Sequence, residues 1–167
     1  MKVDAQYEAV IISPFGAVVI SLHANQMAIH LLAESPSEEN KLSTNPLVKQ
    51  AYTQIMQYLQ QPSSKFDLPI EVHGTAFQQR VWQAIAAIPV GQTYTYSQLA
   101  EKIGSGARAV ANACGANKLP LLIPCHRVLA KNGVGGFMKG QPHGLAIKQW
   151  LLAHEGVFVD RQLSQHE

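Results

Sequence analysis

The 167-residue chain is 47% apolar and 14% charged, with a formal net charge of +2. That composition suits one ordinary domain or two small ones and excludes a disordered, strongly acidic or coiled-coil protein. No apolar run approaches the roughly 20 residues of a membrane span. Met1–Ser13 lacks the apolar stretch and small-residue cleavage site of an export signal, so a cytoplasmic protein with no membrane contact is expected. Cys114 and Cys125 are the two cysteines; they cannot form a disulfide framework and are expected as reduced thiols. Charge is uneven. Residues 1–70 carry four Lys/Arg against six Asp/Glu, a net of −2, and residues 71–167 carry nine against five, a net of +4. The basic half suits a polyanionic partner.

In chain order, Tyr7–Ser13, Ala17–His23 and Met27–Ala33 read as short strands rich in Val, Ile and Leu, separated by Pro-Phe-Gly and Ala-Asn-Gln turns. Glu34–Asn45 is polar and loop-like. Pro46–Gln61 reads as a helix with Leu47, Ala51, Ile55 and Leu59 on one face and Pro46 in its first turn. This part is expected to be scaffold. Gln61–Pro69 is a linker, and the character changes after it. Thr75 and Gln78 form a capping-box pattern before Phe77, Val81, Ile85 and Ile88 at helical spacing. Thr95 and Gln98 form a second, opening a short helix with Leu99, Ala100 and Ile103 inward. Gly104-Ser105-Gly106 turns into a third helix, Ala107 to about Asn117, whose apolar face is Ala109, Val110 and Ala113. Helix, short glycine turn, helix is the outline of a helix-turn-helix. Leu119–Pro124 and Val128–Lys131 read as extended, around Pro-Cys-His-Arg. A last helix runs from about Gly144 to Glu155, with Leu145, Leu151 and Leu152 inward and Gly156 as its C-cap.

Cys125 stands between Pro124 and His126. A thiol is a strong nucleophile only as thiolate, which a neighbouring imidazole favours, and a carboxylate behind that imidazole fixes its tautomer. Glu155 is the candidate carboxylate. A buried, inert cysteine beside a satisfied histidine fits the spacing equally well, because a Cys-His dipeptide is not specific. Cys114 reads as core packing on an apolar helix face. A zinc site drawn from Cys114, Cys125, His126 and His143 or His154 lacks the usual close ligand pairs.

Ile123-Pro124-Cys125-His126-Arg127-Val128 resembles the active-site motif of the O6-alkylguanine-DNA alkyltransferases, the methylated-DNA–protein-cysteine methyltransferases. Its surroundings follow in the family's order: Gly74–Gln78 with Val81-Trp82, Ile88–Gly91, Tyr96–Ala100, Ala107–Val110, Asn117 and Leu151–Gly156. The resemblance implies an α+β fold. A small β-sheet-plus-helix scaffold of ribonuclease-H-like type is expected over residues 1–69, and a helical winged helix-turn-helix domain over 70–167. It implies a monomer without cofactor or metal that binds double-stranded DNA containing O6-alkylguanine. The base, or O4-alkylthymine, is flipped out and its alkyl group passes irreversibly to the protein.

The same resemblance implies roles. Cys125 is the alkyl acceptor, with His126 and Glu155 linked to it through a water that takes the thiol proton. Asn117 joins the recognition helix to the active-site segment. Tyr96, Pro120, Val128 and Phe137 form the pocket. Arg108 fills the gap left by the extruded nucleotide, and Ala109, Ala111 and Thr95 face DNA. The chain departs from the family pattern in its short Gly104–Gly106 turn, in Ala111, Lys118 and Phe137, and in the length of the 132–144 loop. A lesion sensor of the same fold that binds without transfer is the alternative reading; relatives of that kind replace the acceptor cysteine, which is present here.

Overall fold

The computed structural model describes residues 7–131, 133, 135 and 143–157. The chain is a mixed α+β structure that divides into two compact units, Met1–Glu71 with Lys118–Pro120, and Val72–Asn117 with Leu121–Glu167. No helix among the described residues is long and apolar enough to cross a membrane.

The first unit is an antiparallel sheet of β1 (Ala9–Ser13), β2 (Gly16–His23) and β3 (Gln26–Leu32) in that order, packed with α1 (Pro46–Gln60). Register is set by tight turns. His23 pairs with Gln26 across Ala24-Asn25, and both turn residues have positive φ, 51° and 66°, as a two-residue hairpin demands. Gly16, at φ 143°, begins β2 where a Cβ would lie 2.0 Å from the Leu32 carbonyl oxygen, so only glycine fits. Ala17, Val18, Val19 and Ile20 are all fully buried, so β2 is covered on both faces. The 34–45 segment is more than a loop, since Lys41 bonds Val10 in both directions (2.8 and 3.1 Å) and lengthens the sheet edge. At the other edge, the Lys118 carbonyl accepts from the Ile29 amide at 2.9 Å.

Asn45 caps α1 by accepting from the Leu47 and Val48 amides, with Pro46 at N1. The buried face is Val48, Ala51, Ile55 and Tyr58, and Leu47 and Leu59 sit at its margins. Helix geometry explains the difference from the expected Leu47, Ala51, Ile55 and Leu59 face. Steps of four residues drift about 40° each around a helix, whereas steps of three and four alternate about one line.

The second unit contains α2 (Ala76–Ala86), β4 (Tyr94–Thr95), α3 (Tyr96–Ile103), α4 (Ala107–Gly115), β5 (Val128–Leu129) and α5 (Gly144–His154). Both capping boxes form: Thr75 with Gln78 opens α2, and Thr95 with Gln98 opens α3. Gly104, at φ 72°, ends α3 in the left-handed conformation. The Trp82 indole donates to the Ala113 carbonyl at 2.9 Å, tying α2 to α4, and Arg80 donates to the Ile103 carbonyl at the end of α3. Val81, Ile85, Leu99, Val110, Val128, Ile147, Leu151 and Leu152 form the buried apolar interior. β4 and β5 pair in parallel, Tyr94 with Val128 and Thr95 with Leu129. That pairing brings the start of α3 beside the Pro-Cys-His-Arg segment.

Two expectations for α5 are corrected. Leu145 is 47% exposed, because it projects about 90° from the centre of the stripe made by Ile147, Lys148, Leu151 and Leu152. Glu155 is the C-cap, and Gly156, at φ 86°, follows it in the left-handed conformation.

Candidate active site

Between the two stretches expected to be extended, the chain makes a sharp reversal. Pro124 has φ −80° and ψ 67°, the centre of an inverse γ-turn closed by the Cys125 amide on the Ile123 carbonyl at 2.7 Å. The proline ring holds that φ at little cost. Cys125–Arg127 then form one 3₁₀ turn, with the Arg127 amide donating to the Pro124 carbonyl at 2.9 Å. Cys125 and His126 therefore do not point to opposite faces of a strand; both are buried.

Asn117, two residues beyond α4, fixes this turn. Its Nδ2 donates to the Ile123 carbonyl oxygen at 2.9 Å and to Cys125 Sγ at 3.2 Å. One amide thus positions both the backbone entering the turn and the sulfur. On the other side, His126 Nε2 lies 2.7 Å from Glu155 Oε2. A carboxylate only accepts, so Nε2 carries the proton and Nδ1 presents its lone pair. Nδ1 is buried and has no partner among the described residues. Burial holds the imidazole below its ordinary pKa and outweighs the opposing pull of Glu155, so the ring is neutral at pH 7 and able to take a proton.

Arg127 completes the array. Its Nε and Nη2 hold the two oxygens of Glu155 at 2.8 and 3.1 Å, and Nη1 donates to the Ile88 carbonyl at 2.7 Å. A carboxylate buried without such a fork would be strongly unfavourable. Arg127 therefore makes the buried Glu155, and through it the orientation of His126, possible.

Lys148 is fully buried on the apolar stripe of α5. Its Nζ donates to the Val128 carbonyl at 2.7 Å and lies 5.8 Å from the centre of the Tyr96 ring. Burial lowers its pKa to about 8, against the pull of the Cys114 and Cys125 thiols. The Tyr96 hydroxyl is pushed upward by burial and by the same two thiols, so it stays protonated and can donate. Cys114 does not behave as plain core. It is partly exposed, and the influence of Cys125 holds its thiol below the ordinary pKa. Cys114 and burial push the Cys125 thiol well above its ordinary pKa, against smaller downward pulls from Asn117 and Lys148. Cys125 therefore rests as a neutral thiol.

The structure thus brings together Cys125, His126, Glu155, Asn117, Tyr96 and Val128, the last fully buried and bonded to Lys148 through its carbonyl. Pro120 belongs to the first unit. Phe137 lies outside the described residues. Arg108 is exposed in the first turn of α4, and Ala109 and Ala111 are half-buried on that helix. Thr95 accepts the Gln98 amide with its hydroxyl oxygen at 3.0 Å. Arg127, Lys148 and Cys114 are the residues that sequence reading missed or took for core. The one available signal was Lys148, a lysine inside an otherwise apolar helix stripe. Among the described residues, no group of three or more His, Cys, Asp or Glu is placed to hold a metal ion.

A buried thiol, an imidazole with one open nitrogen and a carboxylate clamped by arginine thus lie together. Residues 76–157 match the family model described as the 6-O-methylguanine DNA methyltransferase DNA-binding domain. A methylated-DNA–protein-cysteine methyltransferase of Mycobacterium bovis is 33% identical over 148 residues, which cover 86% of this chain and 88% of that protein. The solved structure of Mycobacterium tuberculosis OGT in complex with DNA is similar with a TM-score of 0.71 and 31% identity, over 93% of this chain and 92% of that one. The bifunctional transcriptional activator/DNA repair enzyme Ada of Escherichia coli is 43% identical over 69% of this chain. The chain spans about a third of the length of Ada and of the regulatory protein ada of Salmonella typhimurium. The chain belongs to the methylated-DNA–protein-cysteine methyltransferase family.

Proposed function

We propose that the protein repairs DNA by moving the alkyl group of an O6-alkylguanine, and of O4-alkylthymine, onto Cys125 in one irreversible turnover. The observation that carries this reading is the pairing of a buried Cys125 thiol with His126, whose Nε2 is tied to Glu155 while Nδ1 stands open. His126 takes the thiol proton on Nδ1 through a bridging water, and Glu155, held by Arg127, stabilises the imidazolium that forms. The thiolate attacks the alkyl carbon. The carbon–O6 bond breaks, and its electron pair leaves with guanine, which needs a hydrogen-bond donor as charge develops. The protonated Tyr96 hydroxyl, held against Lys148, suits that task. A thioether remains on Cys125, and no group among the described residues of the site is suited to hydrolyse it.

The lesion lies inside the duplex, so it must be extruded. We assign α3, the Gly104–Gly106 turn and α4 as a helix-turn-helix, with β4 and β5 as its wing and the N-terminal sheet as a ribonuclease-H-like scaffold. Small residues on α4, Ala109 and Ala111 among them, allow close approach to the minor groove, Thr95 lies towards a phosphate, and Arg108 fills the vacated stack. The protein acts as a cytoplasmic monomer. A neutral His126 below its ordinary pKa also makes transfer insensitive to pH through neutrality. The rate is expected to fall on acidification only below about pH 6.5, as the ring protonates.

The test is intact mass after mixing with a short duplex bearing one O6-methylguanine, followed by peptide mapping. One methyl group on the Cys125 peptide, saturating at one per protein, is expected, and none in Cys125→Ala, which still binds the duplex. Methyl transfer by Cys125→Ala, or repeated turnover by the wild type, overturns the reading. An unchanged mass with retained duplex binding favours the sensor.

A further inference from the structure

Two tyrosines two positions apart each carry a lysine ammonium over the ring. Lys148 lies over Tyr96, is buried, and donates to the Val128 carbonyl. Lys102 lies over Tyr94, with Nζ 5.0 Å from the ring centre, and donates to the Tyr94 hydroxyl oxygen at 3.2 Å. Lys102 is exposed in the last turn of α3, and Tyr94 is half-buried and fixed by the parallel pairing of β4 with Val128. An ammonium has three N–H donors and a phenol hydroxyl has one, and the Lys102–Tyr94 bond uses one of these four. The other three meet no acceptor among the described residues. The ion pairs among the described residues are those of Glu155 with His126 and Arg127, so Lys102 has no carboxylate partner, the adjacent Glu101 included. The dipole of α3 favours a cation in its last turn, but it calls for no hydroxyl beside that cation.

We propose that Lys102 and Tyr94 form a phosphate site for the DNA backbone. An anionic phosphate oxygen placed across the Nζ–Oη pair accepts from the ammonium and from the tyrosine O–H together, and both bonds are charge-assisted. The Tyr94 ring already restrains the lysine, so less side-chain freedom is lost when the phosphate arrives. A phosphate carries no sequence, so the site contributes affinity and register without base preference. Tyr94 stands one residue before Thr95 and two before Tyr96, so a strand gripped there is held beside the segment assigned to the lesion.

This site rests on the reading of the protein as one that binds duplex DNA. The experiment titrates a short, fluorescently labelled, undamaged duplex with the full chain between about 50 and 200 mM salt and follows anisotropy. Each phosphate neutralised by a cation contributes about −0.9 to the slope of log affinity against log salt. Lys102→Gln should therefore bind more weakly with a slope shallower by about 0.9, its deficit shrinking about 3.5-fold across that range. Lys102→Arg should keep the wild-type slope. Tyr94→Phe keeps the ring and removes a neutral donor, so binding should weaken about two- to tenfold at every salt concentration. Lys102 is exposed and the Tyr94 ring is retained, so both variants are expected to fold, which a melting curve checks. Parallel salt plots for the wild type and Lys102→Gln overturn the proposal, as does a Tyr94→Phe protein that binds as the wild type does. A wild type that binds and accepts methyl groups while the plots stay parallel removes this site alone. A wild type that binds no duplex at any salt concentration removes the repair reading together with the site.

Discussion

The two units handle buried polarity in opposite ways. In the first, Ser43 is the one buried polar side chain among the described residues, and the interior is otherwise Val, Ile, Leu, Ala, Met and Tyr. In the second, His126, Lys148 and Glu155 are all buried, and each meets a partner that offsets lost hydration. Apolar burial stabilises a fold without specifying chemistry. Burying an imidazole, an ammonium and a carboxylate together costs stability, and the return is a site whose proton affinities differ from those in water. Substitutions should therefore separate cleanly: changes in the first unit should cost stability alone, and changes in the second should alter stability, pH response and transfer together.

The sharpest break in that comparison is Arg127→Ala. It removes the guanidinium fork that offsets the buried Glu155 carboxylate, and breaking a buried ion pair of this kind typically costs about 3–5 kcal/mol. Chemical denaturation should register the loss. Glu155 should then draw His126 toward its protonated form, so the pH below which transfer fails should rise. An unchanged pH profile would show that Arg127 supports the fold only.

Lys148 offers a test in which the sign is fixed in advance. Its pKa lies at about 8 in the folded protein against an ordinary 10.5. Between those values the unfolded chain binds more protons, so stability attributable to Lys148 rises with pH across the window. The wild type minus Lys148→Met difference in unfolding free energy should become more favourable to the wild type by up to about 3 kcal/mol from pH 7 to pH 10.5. A flat difference would place the ammonium in water.

These two residues also mark what could be read from the sequence alone. The local signals were legible. Thr75 with Gln78 and Thr95 with Gln98 are capping boxes because their partners are three residues apart, and the strands of the first unit follow from runs of Val and Ile between turns. Cys125, His126 and Glu155 stood out by chemistry. Lys148 did not, since a lysine defaults to solvent unless distant partners are known. Its partners, Val128 and Tyr96, are 20 and 52 positions away in sequence. The reversal at Cys125 likewise depends on an inverse γ conformation at Pro124, in a stretch that looked extended. The face of α1 was misplaced for a smaller reason, the angular drift of a strict four-residue spacing.

Arg108→Ala probes the second unit without touching its interior, because Arg108 is exposed in the first turn of α4. Duplex repair should slow about tenfold, near 1.4 kcal/mol, if the guanidinium holds the vacated stack. Reaction with free O6-alkylguanine should keep its rate. Equal losses on both substrates would tie Arg108 to the chemistry and blur the line between interface and interior.

Asn45→Ala is the smallest change and isolates the first unit. Asn45 Oδ1 accepts from the Leu47 and Val48 amides at 2.9 and 3.1 Å, and removing such a cap costs about 1 kcal/mol. Denaturation should show that loss, while the rate of methyl transfer per folded molecule stays at the wild-type value. Asn45 lies in the unit with no buried charge, so no proton affinity at the acceptor depends on it. A change in rate as large as the change in stability would mean that the apolar unit tunes the polar one, and the separation between them would have to be redrawn at α1.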